Sequence, residues 1–343
     1  MTTAAPPSRL RVDTGALRAG SFAIGRDHPD FAEAGQMRRH EFVFPRTSVW
    51  IEHDGERPFI ADPTVVTYYN PHEPYRRRLL SPEGDRCDWY SFDAAVVWDL
   101  VRRLDPAAED RPERAFRFRH GPTDPVAYAQ QRLVAHHLDG PAAPDCVQVE
   151  EVMLDVLARV LRRSYESRGL SPRVRVVPPE DATAPDVVQR VRAHALLHLD
   201  QRLSLSDLAR RAECSVFQLC RAFRQATGGP VHRWLLGLRL QASLEPVAEP
   251  RSDLTAVALD LGFASHSHFT AAFRRAFGIT PSALRRRART GTVAGLRLSA
   301  GAESRLSASR ARTSRRKRAS RSCRHRRTSP RTAARGRRAA ASR

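Results

Sequence analysis

Lysine is almost missing from this chain. Of 58 lysines and arginines only Lys317 is a lysine, so arginine carries nearly all the positive charge. A bias of that degree follows codon composition as readily as selection for guanidinium chemistry, and arginine number alone decides nothing. Cysteine is scarce too. Cys87, Cys146, Cys214, Cys220 and Cys323 are odd in number, widely spaced and form no C-x-x-C. That spacing argues against a disulfide framework and against a structural zinc site. No run of about 18 apolar residues occurs, which excludes a membrane-spanning helix. The opening MTTAAPPSRLRVDTG lacks the apolar core of a signal peptide, so a cytoplasmic location is expected.

What is present divides the chain. A length of 343 residues with 41% hydrophobic content suits two domains with real cores. The formal charge of +21 is unevenly spread. Residues 290–343 hold 17 basic residues and one acidic residue, 186–289 hold 16 and 8, and 1–185 hold 25 and 28. Positive charge therefore begins where the C-terminal half begins, which favours a polyanion partner there.

Residues 1–20 read as a disordered start. From 21 to 92 short strands dominate. SVWIEHDGERPFIAD has a strand–turn–strand pattern with Asp54-Gly55 as the hairpin turn. TVVTYY, stopped by NPHEP, and CDWYSFD are further strands. Strands at this spacing predict a small antiparallel barrel or sandwich. Helices are expected at Ala94–Leu104 and across VQVEEVMLDVLARVLRRSYESRG. In the latter, Val149, Val152, Met153, Val156, Leu157, Val160 and Leu161 form one apolar stripe. Packing on its own domain is favoured over a dimer seam, though periodicity cannot separate the two. SRGLSPRVRVVPPEDATAP, residues 167–185, reads as a linker. Residues 290–343 hold almost no large apolar residue, and this basic tail is expected to be disordered, because it cannot bury enough surface to fold.

Between linker and tail lies a repeat. CSVFQLCRAFRQATGGPV and ASHSHFTAAFRRAFGITP align without gaps at an offset of 50 residues, pairing Ser215 with Ser265, Leu219 with Phe269, Phe223 with Phe273 and Gly228 with Gly278. In each copy a serine caps a helix, apolar residues face inward, and a glycine stops the helix. A short helix precedes each copy: LSDLARRA after Ser204, with Asp207 completing a weak capping box, and LTAVALDLGF after Asp253. Helix, tight turn, capped helix is the helix-turn-helix pattern, here twice. VHRWLLGLRLQASLE joins the two units as a mostly buried connector. A rigid connector would hold two recognition helices roughly 34 Å apart, one turn of duplex.

His266-Ser267-His268 is not a metal pair. Residues two apart on a helix point about 200° apart, whereas helical ligand pairs use i and i+4.

The arrangement resembles the DNA-binding domain of the AraC family of transcription regulators, over Val187 to about Arg287. The matching residues include Leu208-Ala209, Ser215, Leu219, Phe223, Gly228, Arg239-Leu240, Val257-Ala258, Gly262-Phe263, Ser265, Phe269, Phe273, Phe277, Gly278 and Pro281. Two departures stand out. Ala271 occupies a position where the family often has arginine, and Pro246 is expected to end the connector early. HEFVFPRTSVWIEHDG and ADPTVVTYYNPHEPYR are similar to the family's regulatory domain, a cupin-like barrel followed by helices.

The resemblance implies an α+β two-domain fold. Residues 21–166 would be a cupin-like β-barrel with helices that binds a small effector, and 186–289 an all-α domain with two helix-turn-helix units. The implied partners are double-stranded promoter DNA, a small-molecule effector of unknown identity, RNA polymerase in the case of an activator, and a homodimer mate; no membrane, cofactor, metal or catalytic residue is implied. On the first recognition helix the exposed face offers Phe217, Gln218, Cys220, Arg221, Arg224 and Gln225. Arg221 suits guanine, Gln218 adenine or phosphate, Phe217 a thymine methyl, and Arg224 phosphate. On the second, His266, Ser267, Thr270 and Arg274 face outward, with His268 expected to be partly buried beside the core. Tyr68, His72, Tyr75 and Trp89 are candidates for the effector pocket, because aromatic walls with few polar groups are typical of such sites. His40, His53 and His72 lack the compact spacing of a metal-dependent cupin enzyme. A metal enzyme carrying a DNA-binding module, and a sequence-indifferent binder driven by the basic tail, are the alternative readings.

Overall fold

Side-chain alternation along the N-terminal strands decides the architecture. The computed structural model describes residues 7–111, 113–140, 144–170, 184–201, 203–227 and 229–290. Gly228, the middle of the expected linker (171–183) and the tail from 291 lie outside these residues. The strands are β1 (Ser8–Asp13), β2 (Leu17–Ile24), β3 (Gly35–Gln36), β4 (Glu41–Pro45), β5 (Val49–His53), β6 (Phe59–Ala61), β7 (Val65–Tyr69), β8 (Pro74–Leu79), β9 (Asp85–Phe92) and, after helix α1 (Ala94–Arg102), β10 (His120–Pro122). They form two antiparallel sheets in the orders β1-β2-β9-β4-β7-β10 and β3-β8-β5-β6. The expected hairpin is present: β5 pairs with β6, and Gly55 turns it with φ +75°.

Successive residues on the six-stranded sheet point to opposite faces. One face carries Leu17, Ala19, Phe42, Phe44, Val66, Tyr68, Tyr90 and Phe92, which pack under helices. The other carries Ile24, Val43, Tyr69 and Cys87, which meet Val49, Ile51, Phe59, Ala61 and Tyr75 of the four-stranded sheet. The N-terminal half is therefore a β-sheet region with helices on its outer face. No ladder among the described residues closes the sheets into a barrel.

The expected disorder over 1–20 gives way to structure from Ser8. Leu17 and Ala19 are buried, and β1 pairs with β2. Arg11 fixes the edge, donating to Asp88 at 2.8 Å and to both oxygens of Asp139.

Helix α2 (Pro125–Leu138) starts on Asp124, whose carboxylate accepts from the Val126 and Ala127 amides. Helix α3 (Cys146–Ser167) buries its whole stripe, Val149 to Leu161, inside the chain. That settles the stripe as core and not a dimer seam. The C-terminal half is helical: α4 (Ala184–Leu197), α5 (Leu205–Arg211), α6 (Val216–Thr227), α7 (Val231–Ala242), α8 (Leu244–Ala248), α9 (Leu254–Asp260), α10 (His266–Phe277) and α11 (Pro281–Thr290). The connector breaks at Ser243, between α7 and α8. Pro246 has no N–H to give to the Ala242 carbonyl, so the ladder stops one turn ahead of the proline.

The two halves are not separate cores. Helix α2 contacts α7, α10 and α11 as well as α3. Leu240, Leu244, Val247, Phe269, Phe273 and Phe277 belong to the same apolar cluster as Phe42, Tyr128 and Val134. The first helix-turn-helix unit has its own cluster: Val187, Val188, Val191, Leu208, Leu219, Phe223 and Val231.

A shared core predicts shared unfolding. Phe273→Ala should cost about 3–5 kcal/mol and lower the denaturation midpoint of the N-terminal sheets together with that of the helices. Near-ultraviolet and far-ultraviolet circular dichroism check this; separate transitions would contradict the shared core.

Candidate nucleic-acid interface and effector cavity

Both recognition helices are built from local signals. In the first unit Ser215 caps α6, its Oγ accepting from the Gln218 amide at 3.2 Å. Gln218 reaches back, its Oε1 accepting from the Ser215 amide at 2.9 Å, which completes a capping box. In the second unit Ser265 Oγ accepts from the His268 amide at 3.1 Å, and Gly278 closes α10 with φ +75°. Leu219 and Phe223 in the first, and Phe269, Phe273 and Phe277 in the second, are fully buried.

The tight turns differ instructively. Glu213 in the first unit and Gly262 in the second both adopt positive φ, at +54° and +72°. Only the second position demands glycine on spatial grounds. A Cβ at Gly262 would lie 2.6 Å from Arg239 Nη2 and 2.9 Å from the Leu199 carbonyl oxygen. Arg239 uses that gap. From α7 it donates to the Gly262 carbonyl at 3.1 Å and to the Gln201 carbonyl at 2.6 Å, tying the two units together.

The outward faces are as follows. On α6, Phe217, Gln218, Arg221 and Arg224 are exposed, Phe217 at 75%, while Cys220 and Gln225 are half-buried. Gln218 is partly committed to its own cap, which leaves its Nε2 as the group facing outward chemistry. On α10, His266, Ser267, Thr270 and Arg274 line one open depression together with Ala271, Arg275 and Thr280. Neither Arg275 nor Thr280 falls on the exposed face that the helical period marks out, and Thr280 comes from the following turn. His268 is exposed and not partly buried, lying edge-on to Phe263 at 5.6 Å. His266 turns instead to Thr270, with 3.4 Å between Nε2 and Oγ1.

The four effector-pocket candidates separate. Tyr75 and Trp89 line a cavity of about 450 Å³ between the two sheets. Tyr68 points to the other face of its strand, where its hydroxyl meets Ser164 Oγ at 3.0 Å beneath α3. His72 sits exposed in the turn after β7 with φ +63°. Neither touches the cavity. The strand neighbour Tyr69 does, as do Phe22, Glu41, Thr67, Arg77, Asp85 and Cys87. The signal for these was strand parity: Glu41 and Val43, Thr67 and Tyr69, and Asp85, Cys87 and Trp89 alternate with the helix-facing residues.

The cavity holds charge in an apolar setting. Burial pushes the Glu41 carboxyl up to about 7, against the pull of Arg18 and Arg39. Burial likewise raises Asp85 to about 6, opposed by Arg77. Arg77 stands 3.3 Å from Asp85 and donates to the Tyr75 hydroxyl at 2.9 Å. Burial raises the Tyr75 phenol to about 12 and drives the Cys87 thiol well above its usual range. Cys87 is thus not an activated thiolate. His40 meets Trp98 and Phe116, and His53 meets Phe59, Tyr69 and Tyr75. Among the described residues no group of three or more His, Cys, Asp or Glu side chains is arranged to hold a metal ion. No helix there is long and apolar enough to cross a membrane.

Comparison with known proteins bears on the C-terminal half. Residues 208–287 match the model of a helix-turn-helix domain. The chain is 32% identical over 85 residues to the uncharacterized HTH-type transcriptional regulator YdeC of Bacillus subtilis, covering 25% of this chain and 29% of that one. It is 35% identical over 89 residues to the right origin-binding protein of Escherichia coli, covering 26% and 31%. A transcriptional regulator of Chromobacterium violaceum, described by its AraC-type DNA-binding domain, aligns with 26% identity, 32% and 96% coverage and a TM-score of 0.30. The match spans about a third of the length of the curated relatives.

Glu41 gives a pH test. Between about pH 4.5 and 7 the folded chain keeps a proton there that the unfolded chain has released. Its contribution to stability is therefore present at low pH and lost as pH rises through 7. Glu41→Gln should unfold at a higher temperature than the wild type at pH 8 and match it at about pH 4, a gain on the order of 1–3 kcal/mol. His40, His53 and His120, lowered by burial, act in the opposite sense, so the difference between the two proteins is the quantity to follow.

Proposed function

We propose that the chain is a sequence-specific, DNA-binding transcription regulator of the AraC type, controlled by a small effector; the match of residues 208–287 to a helix-turn-helix domain supports this reading. The observation that carries this is the pair of capped recognition helices, each with its apolar side buried and its polar side open. Arg221 contacts guanine through O6 and N7, and Phe217 contacts a thymine methyl. His266, Ser267 and Thr270 sit in the first turns of α10, where a recognition helix meets base edges. Arg224 and Arg274, further along, meet phosphates. The chemistry is binding and not catalysis.

The N-terminal half is the regulatory part, a cupin-like arrangement of two facing sheets whose cavity takes the effector. Its volume lies in the ordinary range for small-molecule sites, and its walls combine aromatic rings with a few charged groups. The natural partner is promoter DNA in the cytoplasm, with RNA polymerase as a second partner if the chain activates. A homodimer would have to use a surface other than the α3 stripe, which the chain covers itself.

Arg221→Ala should cost about 1–3 kcal/mol in binding and relax specificity at one base position. Affinities for a set of single-base variants of the bound site measure this; an equal loss on every sequence contradicts base contact. Deleting residues 291–343 should leave specific binding in place and flatten the dependence of non-specific binding on salt. Loss of all binding would favour the sequence-indifferent reading.

A further inference from the structure

The two helix-turn-helix units are held to the N-terminal half by different means. The second shares its apolar core with α2 and the six-stranded sheet. The first has a core of its own and meets the N-terminal half through polar groups: an exposed ion pair between Arg57 and Asp186, and a buried set gathered on one short stretch, Ile60–Thr64. There the Arg192 guanidinium donates to Asp62 Oδ2 from Nε at 3.1 Å and from Nη2 at 2.5 Å. Both side chains are almost wholly buried. The Gln189 side chain accepts from the Ile60 amide at 3.2 Å, and Arg192 donates to the Ile60 carbonyl at 3.3 Å. Trp234 Nε1 donates to Thr64 Oγ1 at 3.2 Å.

The sheet explains why this spot can bind a helix. Strand β6 is an edge of the four-stranded sheet, and an edge strand presents unpaired backbone groups. Side chains from α4 satisfy the outward N–H and C=O of Ile60 in place of another strand. Asp62 is held ready: its Oδ1 accepts from the Thr64 amide at 2.7 Å and hydroxyl at 2.6 Å, leaving Oδ2 for Arg192.

We propose that Asp62 and Arg192 are positioning residues, a polar latch that sets where the first recognition helix stands relative to the second. Apolar packing holds the second unit against separation, because parting it exposes hydrocarbon to water. The latch is different in kind. Its two charges regain hydration when they part, and that largely offsets the attraction they lose. The first unit is therefore the movable one. Both DNA-facing surfaces stay exposed in the docked form, so the contact positions the helix and does not mask it. Ala61, next to Asp62, walls the cavity between the sheets, so the cavity and the latch share one short stretch of chain.

The inference rests on the chain being a two-site DNA binder, and the test keeps the two claims apart. Full-length wild type, Asp62→Asn and Arg192→Gln are compared by amide hydrogen exchange and by binding to a duplex that the wild type selects from a random pool. Both variants should raise exchange in residues 184–197 and 216–227 by about tenfold or more, with residues 254–277 unchanged. Both should bind the selected duplex about tenfold more weakly, and should lose less than the wild type when the spacing between its two contacted segments is altered by about one or two base pairs. Wild-type exchange and wild-type spacing preference in both variants would overturn the latch. Should the wild type bind no duplex, the DNA-binding reading fails, and the exchange measurement still decides the latch.

Discussion

Burial of helix α2 on several sides is the constraint on which the rest of the molecule depends. Val126, Ala127, Tyr128, Ala129, Leu133, Val134 and Ala135 are all buried, and so are Gln131 and His137. Gln131 is partly satisfied, the Tyr90 hydroxyl donating to its carbonyl and side-chain oxygen, while Gln131 Nε2 and His137 Nε2 are buried without a hydrogen-bond partner. The Tyr128 hydroxyl donates to the Pro45 carbonyl at 2.9 Å, pinning the helix to β4. One face of α2 thereby rests on the sheet and α3, while another supports α7, α10 and α11. A buried ionic seam follows the same line. Asp88, fully buried, is held ionised by Arg132 and Arg11 against the cost of its burial. At the exposed end of the seam, Arg132 lies close enough to Glu245 to join Arg46 in holding that carboxyl below its usual range.

From this follows a division of labour between packing and polar contact. Apolar area is non-directional and fixes bodies together; a hydrogen-bonded ion pair is directional and fixes an angle. The second helix-turn-helix unit is attached in the first way and the first unit in the second. Arg239 adds the remaining restraint, bridging the Gln201 and Gly262 carbonyls, so the spacing between recognition helices is set from the connector on one side and from β6 on the other. Glycine at 262 is a requirement of that bridge as much as of the backbone angle.

How much of this the sequence shows depends on the range of each signal. The repeat, its serine caps, the phenylalanine spine and the exposed faces of α6 and α10 are local, within one or two helical turns, and were legible. The α3 stripe was legible as a buried face, but what covers it was not. Helix α2 went unread. Apolar residues on several sides leave no single stripe, and a helix gripped by two partners has none to show. Tyr68 and Tyr69 make the same point for the cavity: both look like pocket walls, and only the position of the opposing sheet assigns one to the cavity and the other to Ser164. Asp62 and Arg192, 130 residues apart, carry no sequence signal that they meet. Ser8–Asp13 was hidden because a short strand at a chain end is defined by its neighbour β2 and by the Arg11 contacts.

The central claim is that one chain presents two recognition helices, spaced by the connector and the latch, to two successive major grooves. A hydroxyl-radical footprint of the full-length chain, on a duplex it selects from a random pool, tests this most directly. The account predicts two protected patches on one face of the duplex, centred about 10 base pairs apart. A single patch, or even protection along the whole duplex, would contradict it.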